Sequence, residues 1–310
     1  MPEQARNSAT RPELERLEGV RQVVAVSSCK GGVGKSTVAV NLALALAKAG
    51  HRTGLADVDF YGPSAQIMLG ITEKPRPGRG DLIAPVHAHG IDVMSMGFFL
   101  DENAPVIWRG PMAMSATRQF LRGVEWRDLD VLVVDLPPGT GDIVLTLVQD
   151  VPVDGALVVT TPQDVALADV RRGIGMFERV NTPVLGLVEN MSVFVCPDCG
   201  TRDELFGSRS GDQLCAELGI SVLAELPLDE RVCRSGDEGV PIVVAEPEHP
   251  ASREFARLAE ATIERLARGA AGRETEPEEM RCDEARGVLE VRWSDGVVTS
   301  YRLAGLRGWC

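Results

Sequence analysis

The 310-residue chain is 44% hydrophobic and carries a formal charge of −13. That apolar content suffices for one large α/β domain with a small appendage, and the acidic balance argues against a broad contact with nucleic-acid phosphates. No apolar run approaches the ~20 residues of a membrane span, and the first twenty residues lack the apolar stretch of a secretory signal. The expectation is a cytoplasmic protein with neither a membrane nor a nucleic-acid partner.

Residues 1–20 are polar and are expected to form a tail. From there, apolar runs alternate with amphipathic ones. Strands are expected at Val23–Ser28, Thr53–Asp57, Ile91–Met96 (in a hairpin with Leu82–Val86), Val131–Asp135, Ala156–Thr160, Val184–Glu189 and Val222–Leu226. Helices are expected over Lys35–Ala49, Met112–Arg122, Val165–Val180, near Gly211–Leu218 and over Arg253–Arg268. Continuous apolar strands alternating with helices indicate an α/β fold, a mostly parallel sheet with helices on both faces. This domain is expected to span 21–268. Residues 269–281 are small, acidic and proline-containing, which suggests a linker. In 282–310, Leu289, Val291 and Trp293 alternate with polar residues, Asp295-Gly296 supplies a two-residue turn, and Thr299, Tyr301 and Leu303 alternate again, as in a β-hairpin.

The segment VVAVSSCKGGVGKST joins the first strand to the first helix and fits G-x-x-x-x-G-K-[ST], with Cys29 in place of the first glycine. Gly31, Gly32, Val33 and Gly34 would aim backbone N–H groups at phosphate oxygens at a helix N-terminus, with Thr37 completing the turn. Lys35 would bridge the β- and γ-phosphates of ATP, and the Ser36 hydroxyl would ligate magnesium. The chain has only four lysines, Lys30, Lys35, Lys48 and Lys74, and two lie in this loop. Lysine brings a compact point charge that forked arginine does not.

Seven cysteines do not make a disulfide scaffold in a chain of this length. Cys196 and Cys199 stand in CxxC spacing. Their thiolates suit an iron–sulfur centre or zinc, and a redox dithiol or an idle pair remains open on the residues alone. One pair supplies two ligands where either metal centre takes four. Cys29 is expected to stand in for a small glycine.

KGGVGKST resembles the deviant Walker A family of P-loop NTPases, which includes MinD, ParA, the nitrogenase iron protein and the Mrp/ApbC proteins. DVDFYGPS, VLVVDLPPGTGD, TTPQDVALADVRRG and VENMSVFVCPDCG match the Mrp/ApbC branch in order, across roughly 20–265. SSCKGGVGKST and the tail WSDG…LRGWC are similar to the chloroplast members of that branch. The resemblance implies that Lys30 reaches across a homodimer to the partner's nucleotide. It implies that Asp59 orients the attacking water, that Asp135 holds magnesium, and that Gly139 lies in the γ-phosphate switch after Pro137-Pro138. Asn190 and Pro227 would contact adenine. Cys196 and Cys199 would join their counterparts across the dimer around a [4Fe–4S] cluster, received from upstream donors and passed to apoproteins. The implied activity is ATP hydrolysis coupled to cluster transfer. The alternative is a MinD/ParA-like ATPase switch on membrane or DNA with a structural zinc at the CxxC; a metabolic enzyme on the same scaffold ranks last.

Overall fold

The structure is a computed structural model and describes residues 15–100, 117–196, 199–206, 215, 217–274, 277–283, 288–293 and 298–302. The chain forms two compact units, Met1–Ile263 and Glu264–Cys310.

In the first unit a nine-stranded sheet is built from β1 (Val20–Ser28), β2 (Thr53–Asp57), β5 (Val86–Ala88), β6 (Ile91–Ser95), β7 (Leu129–Asp135), β8 (Gly155–Thr160), β9 (Val184–Val195), β10 (Arg202–Asp203) and β11 (Val222–Leu228). Its order is β10-β9-β8-β1-β7-β2-β6-β5, and β11 also pairs with β9. All neighbours are parallel except β5 against β6 and β10 against β9. A separate ribbon pairs β3 (Arg76–Pro77) with β4 (Ile83–Ala84). The expected strand over Leu82–Val86 is therefore divided, and the partner of β6 is β5, which begins at Val86.

The helices are α1 (Lys35–Lys48), α2 (Ala65–Met68), α3 (Asp142–Asp150), α4 (Asp164–Arg179), α5 (Glu230–Asp237), α6 (Ile242–Ala245) and α7 (Pro250–Glu274). Residues 117–122 are also helical, while the remainder of the helix expected over Met112–Arg122 lies outside the described residues. Of the helix expected near Gly211–Leu218, Cys215, Glu217 and Leu218 are described and helical.

Strands β2 and β8 are buried along their whole length, and β1 from Val23 to Ser28, because helices cover both faces of the sheet. That burial explains the unbroken apolar runs of the sequence. Helix α1 is buried on all sides from Val38 to Leu46, and α4 buries Phe177 completely. Phe255 and Leu258 on α7 are 1% and 0% exposed, so the apolar stripe of that helix is core and not a free membrane-binding face. No helix among the described residues is long and apolar enough to cross a membrane.

The second unit differs from expectation in two places. The segment expected as a linker, 269–281, is helix α7 as far as Glu274 and strand β12 (Pro277–Asp283) thereafter. Alanine, arginine and glutamate are good helix formers, so a small, acidic composition did not imply an irregular chain. β12 pairs antiparallel with β13 (Val288–Trp293), which pairs antiparallel with β14 (Val298–Arg302). The expected hairpin is thus two strands of a three-stranded sheet. Its turn at Asp295-Gly296 lies outside the described residues, as do residues 1–14 of the expected tail.

Candidate functional site

The parallel strands β1, β2 and β7 end together. Val26 of β1 and Asp57 of β2 both lie opposite Asp135 of β7, and the loop after β1 crosses this edge into α1. Such an edge, at the carboxyl ends of parallel strands, is where open α/β sheets place ligands. Gly32 and Gly34 hold φ of 79° and 82°, and Gly34 is the residue that caps α1. These left-handed glycines turn the loop around the helix N-terminus, whose N–H groups and dipole favour anions. A cavity of about 230 Å³ opens there, lined by Gly31, Gly32, Gly34, Lys35, Ser36, Thr37, Asp59 and Pro138, together with Ser28, Ser64 and Met68. Val33 is buried beneath the loop at 5% exposure.

The charged groups of the cavity satisfy one another. Lys35, 6% exposed, hydrogen bonds through Nζ to Asp135 Oδ1, lies 3.6 Å from Asp59 Oδ2 and 3.3 Å from Ser36 Oγ. Burial pushes the Asp135 carboxyl up from the usual carboxylate range, and the Lys35 charge pulls against it. The other oxygen, Asp135 Oδ2, is buried without a hydrogen-bond partner among the described residues. A buried carboxylate oxygen left in that condition is costly, and a hydrated divalent cation would satisfy it. With the glycine cradle and the neighbouring Ser36 hydroxyl, the residues present fit magnesium and a nucleotide polyphosphate.

Asp57, wholly buried, organises the loop that carries Asp59. It accepts hydrogen bonds from the N–H groups of Asp59 (3.1 Å), Ser64 (3.0 Å) and Ala65 (3.1 Å), and contacts Ser95 Oγ at 3.1 Å. Its carboxyl is pushed up to about 7, first by burial and then by the negative Asp135 beside it. Ser95 in turn contacts Gln66 Oε1 at 2.6 Å. Neither Ser95 nor Gln66 carried any motif signal. On the other side of the cavity Gly139, at φ 98°, donates its N–H to the Ser28 carbonyl at 2.7 Å, which ties the Pro137-Pro138-Gly139 segment to β1.

Lys30 is exposed at the loop's tip and makes no hydrogen bond or ion pair among the described residues. Cys29 packs its sulfur against α4, where a side chain at Gly173 would lie 2.3 Å from Sγ. Burial pushes its thiol up to about 11, so it is held protonated and inert. Cys29 and Gly173 are a matched pair, in which a larger loop residue is accommodated by a glycine on the facing helix.

The two residues expected at adenine are close in the sheet, since Asn190 lies opposite Leu226, the residue before Pro227. Asn190 faces the loop and donates from Nδ2 to the Val33 carbonyl at 2.9 Å. Pro227 lines a different cavity, of about 790 Å³, with Phe194, Cys196, Arg202, Leu228 and Arg234 among its walls.

That second cavity borders the cysteine pair. β9 runs past the sheet edge and turns back into β10, with Cys196 at the turn's entry. The Gly200 N–H, at φ 71°, donates to the Cys196 carbonyl, and the Cys196 N–H to the Thr201 carbonyl, each at 2.9 Å. Cys196 is half-buried and Cys199 exposed. The Thr201 side chain and N–H, followed by Cys196, pull the Cys199 thiol below its ordinary range. Cys199 Sγ lies 3.1 Å from Thr201 Oγ1. The turn therefore favours thiolate at Cys199. Among the described residues no group of three or more histidine, cysteine or carboxylate side chains is placed to hold a metal ion.

Residues 19–263 match the family model described as the NUBPL iron-transfer P-loop NTPase. The chain belongs to that family. It is 51% identical to an iron–sulfur cluster carrier protein of Pseudomonas fragi, over 80% of this chain and 87% of that one. It is 48% identical to an iron–sulfur protein required for mitochondrial NADH dehydrogenase in Arabidopsis thaliana, over 81% and 80%. A solved nucleotide-binding protein from Archaeoglobus fulgidus, in complex with ADP, superposes with a TM-score of 0.68 at 40% identity, covering 77% of this chain and 93% of that one. The cell-division ATPase MinD of Pyrococcus furiosus (TM-score 0.61, 21% identity, 78% and 98% covered) shares the fold. The fold class and the family read from the motifs both stand.

Proposed function

We propose that this NUBPL-family protein is an ATP-hydrolysing carrier that holds an iron–sulfur cluster at Cys196 and Cys199 and delivers it to apoproteins. The observation that carries this reading is the turn of Cys196–Thr201, which brings two thiols together and favours thiolate at Cys199. A second copy related by a two-fold axis would bring the count to the four of a [4Fe–4S] cluster. A cluster divided between two chains near the surface is easily released, as its cargo role requires. The naming of relatives as cluster carriers supports the same assignment.

In the nucleotide site, Gly31 to Gly34 and Thr37 would cradle the phosphates, and Lys35 would leave Asp135 and Asp59 to pair with them. Ser36 and Asp135 would hold magnesium, which neutralises charge on the β- and γ-phosphates. Asp59, freed from Lys35, would orient the attacking water. Gly139 would report the γ-phosphate through its tie to β1. Lys30, uncommitted among the described residues, would reach the partner's nucleotide and act as an arginine finger does. Tyr61 and Ile67, 68% and 61% exposed on the segment that contributes Ser64 and Met68 to the cavity, supply apolar surface for such a partner. We assign these functions to an ATPase domain over 21–268, acting in the cytoplasm, with upstream cluster donors and recipient apoproteins as partners.

The test is anaerobic reconstitution with iron and sulfide, followed by metal and sulfide analysis of wild type, Cys196→Ser and Cys199→Ser. The proposal expects a brown protein whose iron and sulfide are lost in both variants. A colourless protein holding zinc at these cysteines would favour a structural metal, and equal iron in all three proteins would refute the site.

A further inference from the structure

Asn190 and the cysteine pair lie on one strand. Asn190 Nδ2 donates to the Val33 carbonyl in the phosphate loop. It also presses on the next residue, since a side chain at Gly34 would lie 2.2 Å from the same nitrogen. Five residues on, β9 ends at Val195, and Cys196 follows. The side chain that touches the loop and the half-buried thiol of Cys196 are thus joined by one short run of backbone.

That run is not regular strand. Asn190 lies opposite Leu226 of β11 and Phe194 opposite Leu228, so four steps along β9 are matched by two along its neighbour. The excess forms a bulge, which bends and re-aims a strand. Met191 within it holds φ 59°, a left-handed conformation that non-glycine residues seldom adopt. Ser192 anchors the bulge, donating from Oγ to the Leu226 carbonyl at 3.0 Å. Beyond it, Phe194 and Val195 pair with β10 and form one side of the cysteine turn. A displacement of Asn190 would therefore pass along a backbone with a defined bend into the turn that sets the thiols.

A nucleotide entering the preformed cradle would compete for Lys35 and load the loop that Asn190 holds. Lys35 is committed to Asp135 and Asp59. Drawing its ammonium to a phosphate would shift the load on the residue adjoining Gly34, beside which the Asn190 amide lies.

We propose that Asn190 is a positioning residue that couples occupancy of the phosphate loop to the exposure of Cys196 and Cys199, with the Met191 bulge as the bend that transmits it. This rests on the carrier reading for its purpose but not for its physics. In the carrier, nucleotide would alter how the thiols grip their cargo by moving one strand, without any contact between nucleotide and cluster.

The experiment is alkylation of the metal-free, full-length protein by iodoacetamide, with rates for Cys196 and Cys199 read separately by mass spectrometry. Rates are taken without nucleotide and at saturating Mg-ADP, with binding confirmed by equilibrium dialysis. In wild type, Mg-ADP is expected to change the rate at these cysteines about 5-fold or more, a usual size for coupling between sites. Asn190→Ala with ADP bound should bring that ratio below about 2-fold, and rate changes that are merely structural would appear equally with and without ADP. Should Asn190→Ala fail to bind ADP, Met191→Gly decides: glycine accepts φ 59° but also many other conformations, so the softened bend should reduce the ratio likewise. A wild-type ratio near one overturns the proposal, as does an undiminished ratio in the variant that decides. Because no iron is involved, nucleotide-dependent thiols in a protein that takes up no cluster would remove the carrier reading and leave the coupling in place.

Discussion

At the end of β1 the chain supplies nearly everything its ligand needs: a glycine cradle, a helix N-terminus, a lysine and three carboxylates already in register. At the end of β9 it supplies two thiols and a turn. The first site is held by long-range pairing within a sheet buried on both faces, so its geometry is present without nucleotide. The second stands beyond the sheet edge on a two-strand extension, where among the described residues no third histidine, cysteine or carboxylate is grouped with the thiols to hold a metal. A preformed site suits a substrate that is bound and hydrolysed repeatedly, whereas an incomplete one suits a cargo that must leave.

The largest effect should come from Lys35→Ala, which removes the charge that meets the phosphates. We expect ATP hydrolysis to fall by at least about 100-fold in a steady-state phosphate-release assay. Residual hydrolysis within a few-fold of wild type would show that the preformed site is not the nucleotide site.

The second effect concerns pH. Asp57 holds its proton up to about 7 in the folded protein against an ordinary 3.8, so the fold favours the protonated form. Its contribution is fully present below pH ~4 and is lost as pH rises towards ~7. Asp57→Asn cannot lose a proton there. Its stability relative to wild type, measured by urea unfolding, should therefore rise between pH 4 and 7 by on the order of 3 kcal/mol. A constant difference across that range would mean that Asp57 is ionised throughout.

Smaller still is the effect of Gly34→Ala. The methyl group would meet Asn190 and would force alanine into a left-handed conformation, so chemical denaturation should show a loss of about 1–2 kcal/mol. The mildest comparison is between thiols. At pH 8 Cys199 should react with iodoacetamide at least about 10-fold faster than Cys29, because the turn favours thiolate at one and burial opposes it at the other. Equal rates would erase the distinction between a built thiolate site and a buried filler.

The nucleotide end was largely legible in the sequence, because strands buried on both faces leave unbroken apolar runs and the loop between β1 and α1 has a spacing that phosphate chemistry demands. β2 and the loop's junction with α1 fall where the residues placed them. The supports were not legible. Ser95 and Gln66 brace Asp57 from a neighbouring strand and a short helix, and no spacing in the chain records such a contact. The amide of Asn190 meets a carbonyl 157 residues away, a bond that only tertiary packing creates. Pro227 follows the residue paired with Asn190 and lines the cavity that borders Cys196, a neighbourhood that no motif spacing records. The region 269–281 misled through composition alone, since its alanines extend a helix and Pro277 opens an edge strand.

The central claim is that the thiol site is completed by a second copy of the chain. The most direct measurement is the mass of the iron-loaded species by light scattering under anaerobic conditions, with iron and sulfide counted on the same fraction. The account predicts a species of two chains that carries about four iron and four sulfide per pair and separates into single chains when a chelator strips the iron. Iron retained stoichiometrically on a single chain, or a two-chain species that persists unchanged in Cys196→Ser with its iron intact, would contradict it.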